Sequence, residues 1–140
     1  MTKVIVVGVD GTESAQRAAE TAADLASALG TTLHVVTAFP GERAEVLGLG
    51  NDDRAFSEER YAEKVARESA DGIRSGQLQV EHFAVRGAAA KALIQHAEEH
   101  NAHMIVVGSR RMSGIGRVLG SVANSVAHSA PCEVYIAKTD

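Results

Sequence analysis

The 140-residue chain has no tryptophan, one cysteine and only 4% aromatic residues. A single thiol, Cys132, excludes an internal disulfide framework, and a reduced, cytoplasmic setting is the expectation that follows. With so few rings, the core has to be built from Val, Ile, Leu and Ala, which suits a parallel sheet covered by Ala-rich helices. Positive charge is not in excess either: 14 Lys and Arg against 18 Asp and Glu leave a formal charge of −4. Nucleic-acid modules are usually basic, so neither DNA or RNA nor an anionic membrane is expected as the main partner. No apolar run approaches the roughly 20 residues of a membrane span. Met1-Thr2-Lys3 leads directly into a strand-like segment, so no signal peptide is expected.

Hydrophobic residues make up 45% of the chain, enough for a packed globule, and the length suits one domain, residues 1–140. Val4-Ile5-Val6-Val7-Gly8-Val9 is a continuous β-branched run, the pattern of a strand buried on both faces. Glu13 to Leu29 repeats Ala15, Ala18, Ala19, Ala22, Ala26 and Leu29 at helical spacing, with Gly30 placed as a C-cap. Leu33 to Ala38 reads as a second strand. Pro40 to about Ser57 is polar and without a clear period, a loop with room for a short helix around Ala44 to Leu47. Glu58 to Ile73 reads as a charged helix whose inward candidates are Tyr61, Val65 and Ala66. Strand Leu78–Val85, helix Ala88–His100 and strand Met104–Val107 follow. A Gly- and Arg-bearing loop then leads to helix Gly120–Ser129 and strand Glu133–Ala137. The alternation predicts an α/β fold, an open, doubly wound parallel five-stranded sheet with helices on both faces. Ligands of such sheets sit at the C-terminal ends of the strands, where strand order reverses.

Two loops follow the two most buried strands. The first is Gly8-Val9-Asp10-Gly11-Thr12. The second runs from Gly108 through Ser109, Arg110, Arg111, Gly114, Gly116 and Arg117 to Gly120-Ser121-Val122 at a helix start. Glycines let the backbone approach a phosphate, and the unpaired N–H groups of a helix N-terminus favour an anion. Ser121 adds a hydroxyl donor, and also reads as an ordinary N-cap. The arginines add full charge with forked geometry. Phosphate would repel Asp10, which is therefore placed beside a ribose or a magnesium ion.

Three stretches together resemble the universal stress protein family over nearly the whole chain. They are Val-Val-Gly-Val-Asp-Gly-Thr-Glu-Ser-Ala at the front, Ile-Val-Val-Gly-Ser-Arg at the fourth strand, and Gly-Ser-Val-Ala-Asn-Ser-Val-Ala-His-Ser-Ala-Pro-Cys-Glu-Val near the end. The resemblance implies a Rossmann-like sheet of order 3-2-1-4-5 and a homodimer paired through the last strand, Glu133 to Ala137. It also implies a site for ATP or a related adenine nucleotide, with Mg²⁺ as a possible companion, and a regulatory stress-response role; no general base is evident in the sequence, so fast catalysis is not expected. The family's nucleotide-binding branch carries Gly-x2-Gly-x9-Gly-Ser/Thr after the fourth strand. Gly108 matches its first glycine, and Gly120 and Ser121 match its end. Asp10 matches the acidic residue near the ribose, and Val35 or Val36 lies where the second strand contacts adenine by its backbone. Gly8, Val9, Thr12 and Val107 complete the implied surroundings. Arg111 stands where the second glycine belongs, and eight residues (112–119) separate it from Gly120 where the pattern has nine. Two readings stay open: a nucleotide-binding regulator, and a dimeric interaction module of the same family that holds no nucleotide.

Other signals are set aside. Gly114-x-Gly116-x3-Gly120 follows the fourth strand, not the first, so it is a weak dinucleotide fingerprint. No Gly-Lys-Ser/Thr phosphate loop is present. His96-x-x-Glu99-His100 places two histidines one helical turn apart in an inverted zinc-protease spelling. With no evident source of a third ligand, it reads as a solvated helix end. His34, His82, His103 and His128 show no ligand spacing. Cys132 has no arrangement to activate it and reads as a packing residue.

Overall fold

The computed structural model describes residues 3–41, 52–73, 76–109 and 119–139. Arg110, Arg111, Gly114, Gly116 and Arg117, and the short helix expected at 44–47, lie outside them. The elements run β1 (Val4–Gly8), α1 (Glu13–Leu29), β2 (Thr32–Phe39), α2 (Asp52–Ile73), β3 (Val80–Arg86), α3 (Ala89–Glu99), β4 (Met104–Gly108), α4 (Ser121–Ser129) and β5 (Glu133–Ala137). The strands form one parallel sheet of order β3-β2-β1-β4-β5. Strand order reverses between β1 and β4, which pair directly, Val6 opposite Ile105.

Side-chain alternation divides the core into two layers. Ile5, Val7, Leu33, Val35 and Val106 point to the face covered by α1 and α2, where they meet Ala18, Ala19, Ala22, Ala26, Ala66 and Ala70. Val6, Val36, Ile105 and Val107 point to the opposite face and meet Leu93, Ala97, Ala123 and Val126 of α3 and α4. Ile5, Val6, Val7, Ile105 and Val106 are fully buried, as expected of strands covered on both sides. Alanine on the covering helices lets them sit close to a surface already crowded by β-branched side chains.

Thr12 caps α1: its Oγ1 accepts from the Ala15 N–H at 3.1 Å. Gly30 ends the helix in the left-handed region, φ 66°, and its N–H reaches the Ala26 and Ser27 carbonyls. Four expectations are corrected. Leu29, assigned to the buried stripe of α1, is 50% exposed, because the stripe ends at Ala26 and the last turn passes the sheet edge. Helix α2 begins at Asp52, not near Glu58. Tyr61 is 67% exposed; the inward stripe of α2 is Ala62, Val65, Ala66, Ala70 and Ile73, one position round the helix. The last turn of α3 is not a solvated end either. It lies over β2 and β3, and His96 is 4% exposed, packed against His34 and Phe83.

Because Ile105 is fully buried in the strand that pairs with β1, Ile105→Ala should remove about 2–5 kcal/mol of stability. Chemical denaturation should show a lower midpoint with an unchanged slope. A loss below about 1 kcal/mol would contradict the tight packing of this layer.

Candidate functional site

The C-terminal ends of β1 and β4 open into one cleft of about 240 Å³. Each strand ends in a glycine, Gly8 or Gly108, and a side chain at either position would press on a neighbouring side chain. A Cβ on Gly8 would lie 2.8 Å from Cδ1 of Leu93, and one on Gly108 would lie 3.3 Å from Oγ1 of Thr139. The β1 exit is held to β2 by the Val9 N–H, which donates to the Val36 carbonyl at 2.9 Å.

The β1 loop is a small hydrogen-bonded turn. Asp10 Oδ1 accepts from the Thr12 backbone N–H at 3.1 Å and from the Thr12 hydroxyl at 2.6 Å. Gly11 between them has φ +88°, a conformation that glycine adopts without strain. This turn presents the N-terminus of α1 to the cleft, with Ser14 and Ala15 in its wall. On the other side α4 starts at Ser121, with Gly120 as its cap, φ −59° and ψ 151°. Ser121 therefore is the first helical residue and not the N-cap, and the Gly120 cap brings no side chain to the first-turn N–H groups.

Of the residues singled out from the sequence, the structure brings Gly8, Val9, Asp10 and Thr12 of the first loop into the cleft lining. It brings Val36, Val107 and Gly108 from the strand ends, and Gly120, Ser121 and Val122 from the start of α4. Two others lie elsewhere. Val35 points to the α1–α2 face, because strand parity sends only one of two adjacent valines to each side. Ser109 is fully buried and its Oγ accepts the Thr139 backbone N–H at 3.0 Å, while its own N–H donates to the Ala137 carbonyl at 2.8 Å.

Thr139 joins several elements beside the cleft. Its hydroxyl oxygen accepts from Ser14 Oγ at 2.8 Å, and its carbonyl accepts from Arg17 Nη1 at 2.6 Å. The tail after β5 is thereby fastened between α1 and the β4 exit. Ala38, Ala89, Leu93 and Ala123 also line the cleft. Ala38 could have been found by stepping two residues along β2 from Val36; the other three require knowing which helices cover this end of the sheet. Cys132 is half-buried against the α3–α4 layer, and burial, then the neighbouring Glu133, pushes its thiol pKa up, as suits packing and not nucleophilic chemistry.

The reversed strand order, with a cleft at the reversal, defines a doubly wound, Rossmann-like α/β domain. A model described as the universal stress protein family matches residues 1–138. Universal stress protein Rv1636 of Mycobacterium tuberculosis is 31% identical over 141 residues, 98% of this chain and 97% of its own. A solved universal stress protein in complex with cAMP is 33% identical, with a TM-score of 0.76 over 99% of this chain and 98% of that one. The universal stress protein from Archaeoglobus fulgidus in complex with dAMP is 25% identical, with a TM-score of 0.72 over 96% of each chain. The chain belongs to the universal stress protein family.

Ser109→Ala separates a fastening role from a ligand role. It leaves the buried Thr139 N–H without its acceptor, so a stability loss of about 1–3 kcal/mol is expected in thermal or chemical melts. Small-molecule binding in the cleft should change little. Unchanged stability would remove Ser109 from the fastening.

Proposed function

We propose that this chain is a regulatory protein of the stress response that binds an adenine nucleotide in the cleft between β1 and β4. The observation that carries this reading is the meeting of two strand ends and two helix N-termini on one cleft, with glycines 8, 108 and 120 in its lining. The uncapped first turn of α4 offers backbone N–H groups to phosphate, and the Ser121 hydroxyl joins them. Val36 and Ala38 form an apolar strip along β2 for the adenine. Asp10, turned by Thr12, stands for the ribose hydroxyls or for Mg²⁺ carried by the nucleotide. Asp10 is the one charged residue in the described lining, so Arg110, Arg111 and Gly114 of the neighbouring loop are assigned the phosphates, arginine supplying charge where the family pattern has glycine. The complexes of relatives with cAMP and dAMP support an adenine ligand of this size.

A binding role, not catalysis, fits the lining. Its carboxylate is already engaged by Thr12, and no His, Lys or Cys stands among the described lining residues to act as a general base. The cytoplasm is the proposed compartment; no helix among the described residues is long and apolar enough to cross a membrane. Strand β5 closes one end of the sheet, and Tyr135 on it is 43% exposed. A free strand edge of this kind pairs readily with a second copy, and the proposed assembly is a homodimer through Glu133–Ala137.

Freshly purified protein, denatured and run on an anion-exchange column, should release up to one adenine nucleotide per chain. AMP, cAMP or Mg-ATP should raise the melting temperature, by the equivalent of about 2.7 kcal/mol at a hundredfold excess over Kd. Gly120→Val, which puts a branched side chain into the lining, should melt like the parent protein and lose that response. A blank column and no shift at millimolar nucleotide would favour the interaction module without a nucleotide.

Light scattering tests the assembly separately. The parent should run as a dimer, and Tyr135→Lys, which places a charge on the β5 edge, should shift it towards monomer. A monomeric parent protein would overturn the β5 interface.

A further inference from the structure

At the end of the sheet opposite the nucleotide cleft, strand pairing and helix packing bring three histidines together. His34 lies near the start of β2, His96 in the last turn of α3, and His100 immediately after it. One ring nitrogen of each lies within 4.8 Å of one from both others. Nδ1 of His34 is 2.9 Å from Nε2 of His96, and the rings of His96 and His100 stack at 4.0 Å. Phe83 packs against all three rings, with centroids 4.6, 4.5 and 5.6 Å away. His34 and His96 are buried, whereas His100 is exposed. The group thus has a dry interior and one side open to solvent.

We propose that His34, His96 and His100 form a binding site for a divalent first-row transition ion of the zinc class, separate from the nucleotide cleft. Imidazole without thiolate or a cage of oxygens selects Zn²⁺, Co²⁺, Ni²⁺ or Cu²⁺ over Mg²⁺ or Ca²⁺. Three protein ligands leave a coordination position for water or a small ligand on the exposed His100 side. A tetrahedral ion with Zn–N bonds of about 2.0–2.1 Å requires nitrogens about 3.3–3.4 Å apart. The His34–His96 pair opens by a few tenths of an ångström to meet this, and His100, at the free end of α3, supplies the remaining adjustment.

The surrounding hydrogen bonds suit that role. Nδ1 of His100 is 2.9 Å from the His96 carbonyl oxygen, to which it donates, so the lone pair is on Nε2. Glu81 is the register partner of His34 across β2–β3, and its Oε2 lies 3.9 Å from Nε2 of His34. That carboxylate favours the proton on Nε2 and leaves the Nδ1 lone pair facing the cluster, as in carboxylate–histidine–metal arrangements. The one proton in the 2.9 Å contact then belongs to His96. Metal entry moves it to Nδ1 of the same ring and frees Nε2, with no net proton released. Burial, with His100 next, holds the pKa of His34 low, and burial, with His100 and then His34, lowers that of His96 to about 4. Both rings are therefore neutral ligands at neutral pH.

The test uses the untagged full chain, stripped with a chelator and titrated with Co²⁺. One ion per chain should bind with the visible d–d absorption of a low-coordinate nitrogen site, and Zn²⁺ should displace it. Mg-ATP or cAMP should not compete, so the outcome is independent of what the cleft binds. His100→Gln should abolish the absorption while the metal-free protein still melts in one cooperative transition. Glu81→Gln should keep the absorption and weaken Co²⁺ binding about 10–100-fold. Failure of the parent to bind a stoichiometric ion with that spectrum, or undiminished binding by His100→Gln, overturns the proposal.

Discussion

The structure depends on the pairing of β1 with β4. Both strands are covered on both faces, so every residue from Ile5 to Val7 and from Ile105 to Val107 has to be apolar. Such a pair lies at the centre of the sheet, where the connection through α1 leaves β1 on one side and that through α4 leaves β4 on the other. The helices diverge at the strand ends because they cover opposite faces. A cleft at that point is a geometric consequence of the winding, and the glycines that terminate both strands are part of its lining.

The same constraint explains which parts of the molecule could be read from the chain. Continuous β-branched runs and alanine stripes at helical spacing identify the strands and helices of this fold. At the start of α2, periodicity alone places the boundary six residues late. Tyr61 and Leu29 mark the other failure. A helix surface has a gradual border between its buried and exposed sides, and a large apolar residue on that border looks inward from the sequence alone.

For the cleft, the legible part was the backbone: glycines at strand ends and a glycine-serine pair opening a helix. Side-chain direction was not legible. Val35 and Val36 are adjacent and equally apolar, yet the pleat sends one to each face, and only the register with β1 decides which. Ser109 looked like a donor to phosphate because it follows Gly108. Its hydroxyl instead serves an N–H thirty residues further on, a pairing that no local pattern encodes. This fastening holds the β4 exit to the tail after β5 beside the cleft.

The two ends of the sheet illustrate why spacing detects some polar clusters and misses others. His96 and His100 are four apart on a helix, so their proximity is written in the sequence. His34 joins them only because β2 runs parallel beside β1 and α3 crosses back over both, which closes a gap of 62 residues. Two ligands on one helix are a weak signal, and the third arrives from the topology. The cleft at the other end is assembled by the same crossovers but relies mainly on backbone N–H groups. One right-handed winding therefore places a glycine-lined cleft at the C-terminal ends of the strands and a side-chain-built histidine cluster near their N-terminal ends.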